Sequence, residues 1–205
     1  MNSRSIRFPL GGLAAALLAV QLAHADPTAL QVREVLHRDF HERGQATMSR
    51  VDQDDVQWLC TVTHNKPSAK RAKEMEAEQL AMIRYPADGK FMGNWKRGEK
   101  LASTGKGMTW KDKPGGAHGG GCYNCHQLAP AQPSYGTIGP SLAHFAKTRG
   151  NSLDAQKYVY GKLYDAKAYN LCSEMPRFGT SGSLSEQDIK DLVAYLLDPD
   201  SPVNK

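Results

Sequence analysis

The run Cys122-Tyr123-Asn124-Cys125-His126, with Met175 forty-nine residues beyond the histidine, constrains this chain more than any other feature. C-x-x-C-H is the attachment pattern of c-type haem, in which two thiols become thioethers to the porphyrin vinyl groups and the adjacent histidine reaches the iron. A methionine sulfur on the opposite side completes six-coordination and raises the reduction potential. Cys122 and Cys125 are therefore the expected covalent anchors of one haem c, with His126 and Met175 its axial ligands. A polypeptide gripping iron from both sides is built for electron transfer.

Two rival chemistries use similar spacing. A zinc site needs two more ligands, usually from a second short pair, and the sequence offers none. A thioredoxin-like pair needs a surrounding βαβ pattern, which is absent. For the distal position, His144, Met108, Met75 and Met82 also carry suitable atoms. Met75 and Met82 read as core packing at helical spacing, and Met108 lies in a glycine-lysine loop. His144 reads as a surface or packing residue. Met175-Pro176 sits between two helices, where proline stiffens the loop that holds the sulfur.

Residues 1–25 read as a cleaved secretory leader: Arg4 and Arg7, an 11-residue apolar run from Leu10 to Val20, and Ala23-His24-Ala25 as cleavage site. That run is too short to span a bilayer. No second apolar stretch follows, so the mature chain is expected in the periplasm without a membrane span. The formal charge is +5, and loss of Arg4 and Arg7 leaves +3. Two haem propionates lower it to about +1, so nothing favours nucleic acid. In an oxidising compartment the remaining cysteines, Cys60 and Cys172, either pair or stay as separate thiols. Export favours the pair, which would pin the loop carrying Met175.

The predicted class is mainly α. Residues 28–43 carry Val32, Val35, Leu36 and Phe40 at helical spacing with Gly44 as a stop. His37 and His41 fall at i and i+4, on what reads as a solvated face. Val56 to Thr61 reads as strand or extended. Pro67 opens a helix to about Arg84, with Ala72, Met75, Gln79, Met82 and Ile83 inward and Lys70 paired with Glu74. Asn94 caps a helix to about Ser103 that contains Gly98. Thr104 to Gly121, with seven glycines, is a loop. Further helices run from Leu153 to Tyr164 and from a Ser185 cap, with Asp188 at N3. The last carries Ile189, Leu192, Val193, Leu196 and Leu197 on one face. The expected divisions are a leader at 1–25, a partly helical extension at 26–89, a haem domain at 90–199 and a tail at 200–205.

From about Asn94 onward the chain resembles the class I cytochromes c, through Gly98, Cys122-Cys125-His126, Pro140, Met175-Pro176 and Tyr195. The resemblance implies that the first and last helices cross at Gly98 and pack on an aromatic. It also implies that the Pro140 carbonyl accepts a hydrogen bond from His126, strengthening it as a donor. The glycine-lysine insertion before Cys122 departs from simple members.

Tyr85 to Gly89, Gly93 to Lys100, Cys122 to Pro130, Gly136 to Leu142 and Cys172 to Gly179 together resemble the SoxX family, the monohaem subunits of SoxAX cytochromes of sulfur-oxidising bacteria. The likeness spans roughly residues 85–198 and is weak before that. It implies a SoxA-like partner that holds the substrate site of an L-cysteine S-thiosulfotransferase. Thiosulfate is there conjugated to a sulfur-carrier cysteine, and this subunit relays the electrons to a downstream acceptor. The sequence itself shows no cluster that would activate a thiolate. A free-standing electron carrier and a redox or gas sensor with a displaceable Met175 are the alternatives. Lys100, Lys106, Lys111 and Lys113 read either as a docking surface or as a solvated loop.

Overall fold

Six helices begin at a side-chain cap that the sequence supplies. Thr28, Asp54, Ser68, Asn94, Ser152 and Ser185 each accept a hydrogen bond from a backbone amide in the following turn, satisfying donors that a helix leaves unpaired. The computed structural model describes residues 27–205, and the leader expected at 1–25 lies outside them. The helices are α1 (Ala29–Asp39), α2 (Asp55–Val62), α3 (Ala69–Met82), α4 (Trp95–Ala102), α5 (Phe145–Arg149), α6 (Leu153–Tyr164) and α7 (Glu186–Leu197). Among the described residues there is no strand, only an isolated bridge between Arg43 and Ala46. The mainly α class holds.

The principal core forms where α4 crosses α7. Gly98 is buried there, and a Cβ built on it would fall 2.7 Å from both the Asp191 carbonyl carbon and the Tyr195 Cβ. Only glycine lets the two backbones approach so closely. Asp191, fully buried, ties the same crossing: its Oδ1 accepts from the Asn94 amide at 2.8 Å and from Gln187 Nε2 at 2.9 Å. Arg97 Nε lies 3.1 Å from its other oxygen, an ion pair without hydrogen-bond alignment. The stripe Ile189, Leu192, Val193, Leu196 and Leu197 is buried against α6 and the segment around Phe91. Residues 201–204 fold back onto α7, with Val203 buried and Asn204 bonded to the Leu196 carbonyl at 3.0 Å.

A second, smaller core joins Val56, Cys60 and Met75 of α2 and α3 to Leu171. Here the structure corrects the sequence reading. Residues 56–61 form a helix because Asp54 and Gln57 make a reciprocal capping box. Val56 and Cys60, at i and i+4, then face one way and are both buried. Met82, expected inward, is 47% exposed, since α3 ends there and Ile83 turns into the principal core. The ion pair on α3 is Arg71–Glu74 at 3.6 Å, not Lys70–Glu74.

α1 stops at Asp39, short of Gly44, and buries none of its residues. Leu30, Val32, Val35 and Leu36 face solvent, so the helical spacing marks no part of either core. Gly44 serves a different purpose. At φ +55° it turns the chain between Arg43 and Ala46, and an added Cβ would run into the Trp110 backbone.

Candidate functional site

The cysteine-histidine run folds as a tight turn. Gly121, at φ +55°, leads into a single 3-10 turn over Cys122–Asn124, and the His126 amide donates to the Cys122 carbonyl at 3.0 Å. A second stretch of backbone lies alongside and registers the run. Gly136 donates to the Tyr123 carbonyl at 2.9 Å, Gly139 to that of Cys125 at 2.8 Å, and Leu142 to that of Gln127 at 2.8 Å. Residues 136–142 are thus the wall of the site.

That wall orients the histidine. Pro140 O lies 2.7 Å from His126 Nδ1, a geometry in which Nδ1–H donates to the carbonyl and Nε2 keeps its lone pair. The imidazole rests on the Gly139 backbone: a Cβ there would come within 2.7 Å of Nε2 and 2.5 Å of Nδ1. Sequence reading passed over Gly139, whose requirement for glycine arises only from the contact with His126.

Cys122 and Cys125 are both free thiols and both partly buried. Burial pushes the Cys122 thiol up to about 11, so it is neutral at neutral pH and a poor thiolate ligand or redox nucleophile. Among the described residues no group of three or more His, Cys, Asp or Glu side chains is arranged to hold a metal ion. Two free thiols and an imidazole with an unpaired ring nitrogen on one turn are the set that a covalently attached haem requires. The residues fit the group.

The methionine loop reaches the same place. A Cβ on Gly120 would lie 3.0 Å from Cys122 Sγ and 3.6 Å from Phe178 Cζ, so Phe178, three residues beyond Met175, lies near the first cysteine. Met175 and Cys122 are both partly buried and pack against the principal core, as does Leu142. Buried Tyr195 on α7 lies close by, its hydroxyl pushed up to about 12 chiefly by burial. The Met175 amide is held by Ser173 Oγ at 3.2 Å. Beneath the loop, Lys167 is buried and donates to the carbonyls of Leu171 at 3.2 Å and Ser173 at 3.1 Å. Burial lowers its pKa from the ordinary lysine value.

The other candidate ligands are placed elsewhere. Met75 lies in the smaller core, Met82 is exposed, and His144 caps α5 with its amide bonded to Val203 O at 2.6 Å. Met108 belongs to a loop clasped from outside: Arg50 donates to its carbonyl, and Gln45 Nε2 donates to the carbonyls of Gly107 and Thr109 at 2.9 Å each. The Arg43 guanidinium stacks 3.4 Å from the Trp110 ring centre. His37 is paired with Asp52 at 2.8 Å. Lys100, Lys106, Lys111 and Lys113 are all exposed.

Cys60 and Cys172 form a disulfide across 112 residues, resolving the alternative left open by the sequence. It joins α2 to the methionine loop.

The cytochrome c family model matches residues 96–198, about half of the 205 residues. An "Uncharacterized lipoprotein" of Aquifex aeolicus (strain VF5) is 42% identical over 129 residues, covering 62% of this chain. The match spans 61% of that relative's own length. The crystal structure of SoxXA from P. pantotrophus is 24% identical over 52% of this chain and 82% of that one, with a TM-score of 0.37.

Proposed function

This chain belongs to the cytochrome c family, and we propose that within it the protein is the monohaem subunit of a thiosulfate-oxidising cytochrome pair, a SoxX in complex with a SoxA-like partner. The family is one of haem-binding electron-transfer proteins, and haem c supplies a one-electron iron couple. Cys122 and Cys125, both free thiols, would hold the haem as thioethers. His126, held by Pro140 and seated on Gly139, would offer Nε2 to the iron, and Met175 would offer its sulfur. One C-x-x-C-H run means one haem.

What carries the reading at the site is the 2.7 Å approach of Pro140 O to His126 Nδ1, which fixes tautomer and ring orientation before any iron is bound. What carries the choice of subunit is the set of separate motifs between residues 85 and 198 that resemble SoxX. Joining a carrier cysteine thiolate to thiosulfate makes an S–S bond and releases two electrons. A single iron takes these one at a time, and the resemblance to SoxX places the substrate site on the partner. The expected compartment is the periplasm. No helix among the described residues is long and apolar enough to cross a membrane.

Two experiments test this. Met175→Ala should abolish the sulfur-to-iron charge-transfer band and lower the potential; an unaltered spectrum excludes Met175 as ligand. Co-expression with the SoxA-like subunit should yield a stable heterodimer whose thiosulfate-dependent reduction requires both chains. A monomer indifferent to that subunit means a free-standing carrier instead.

A further inference from the structure

Within the extension, α2 and α3 make their covalent bond and their hydrogen bonds to the haem domain with one short segment, residues 171–177. Cys60 of α2 is bonded to Cys172. Glu76 Oε1 of α3 accepts the Leu171 amide at 3.0 Å. Gln79, also on α3 and buried, accepts from Arg177 Nη1 at 3.2 Å. Asp54, the cap of α2, pairs with the other arm of the same guanidinium. Leu171 itself completes the small core of Val56, Cys60 and Met75. These contacts bracket Met175 on both sides, at 171–172 and at 177, while none of them touches the turn that carries Cys122, Cys125 and His126.

We propose that the extension is a clamp for the methionine loop, with Cys60, Glu76, Gln79 and Asp54 as positioning residues that keep the Met175 sulfur on the iron and exclude competing distal ligands. The inference rests on Met175 being the axial ligand. A loop between two helices samples open conformations in which a sulfur ligand is displaced, and exogenous ligands capture that open fraction in proportion to its population. Fixing residues 172 and 177 to a rigid helical pair removes much of that freedom, since a cross-link acts chiefly by limiting the conformations of the free chain. The hydrogen bond from Leu171 to a carboxylate and the two-armed capture of Arg177 are of the stronger, charge-assisted kind. The clamp therefore works through the closed–open equilibrium of one loop. It predicts effects on that loop out of proportion to any loss of global stability.

The test uses the haem-loaded protein. Three variants weaken the clamp: Cys60→Ser with Cys172→Ser, Glu76→Ala with the disulfide intact, and Gln79→Ala with Asp54→Asn. Val203→Ala, which truncates a fully buried side chain that makes none of the clamp contacts, is the control for general destabilisation. Each clamp variant should raise amide hydrogen exchange of residues 171–177 and the carbon monoxide association rate of the ferrous protein by at least about tenfold, the change expected on losing a charge-assisted hydrogen bond. The control should raise neither in the same proportion. Unchanged exchange and unchanged carbon monoxide rates in all clamp variants overturn the clamp, as does an equal rise in Val203→Ala. If the disulfide variant does not fold, the other two, which keep the bridge, decide the matter. Should Met175→Ala retain the sulfur–iron band, the axial reading fails and the clamp's purpose with it, an outcome separable from the exchange result.

Discussion

Replacing Gly98 with alanine sets two effects of opposite sign against each other. Alanine is the better helix former by about 1 kcal/mol, so in an open helix the change would stabilise. In α4 the added methyl would sit 2.7 Å from the Asp191 carbonyl carbon and from the Tyr195 Cβ, whereas carbon atoms pack at about 3.5–4.0 Å. The neighbours are backbone and a Cβ in the middle of α7, not the ends of flexible side chains. Relief therefore requires the helices to part by at least ~0.8 Å along their main contact. Overpacking of this kind costs up to about 3 kcal/mol, leaving a net loss of about 2 kcal/mol after the propensity gain. For a protein of this size that lowers Tm by about 4–8 °C. Thermal unfolding of the haem-loaded protein followed by far-ultraviolet circular dichroism measures it. Gly105→Ala is the companion, because no atom lies within 4 Å of its added Cβ, and it should leave Tm within about 1–2 °C of the parent. If Gly98→Ala keeps or raises Tm while Gly105→Ala is neutral, the close crossing of α4 and α7 is wrong.

Gly139→Ala should disturb the histidine and spare the fold: a methyl placed 2.7 Å from His126 Nε2 must push the ring off its bond to Pro140 O, lowering the yield of low-spin haem in the visible spectrum with little change in far-ultraviolet signal. The clamp should also respond to acid. Burial alone would raise the Asp54 pKa, but the Gln57 amide and the Arg177 guanidinium outweigh it and hold the carboxyl below its usual value. A depressed carboxyl stabilises the fold fully above the unfolded value of about 3.9, and that contribution disappears as pH falls through the folded pKa. The stability difference between the parent and Asp54→Asn, from denaturant titrations, should shrink steadily as pH falls below about 4. A difference that is flat or grows toward low pH refutes the assignment.

How far the chain could be read in advance depended on the range of each interaction. Asn94 and Ser185 announced two helices of the haem domain because a cap and the amide it accepts lie within three residues of each other. Gly98 was legible as a crossing point through its family pattern. The extension was harder. The capping box of Asp54 and Gln57 was present in the sequence, yet the β-branched and aromatic run Val56-Gln57-Trp58 obscured it, and the helix that forms is held by burial of Val56 and Cys60 against Leu171. In α1 the helical spacing was legible, and the helix that forms leaves its apolar residues in solvent.

The haem-attachment run, its histidine and the helix caps are written in neighbouring residues or in a short spacing, where covalent geometry and local hydrogen bonds leave few choices. The seat of His126 on Gly139, the approach of Phe178 to Cys122, and the capture of residues 171–177 by Cys60, Glu76 and Asp54 join positions from 13 to 123 apart. No local pattern encodes such meetings, because the entropy of bringing distant segments together is recovered only once both cores have formed.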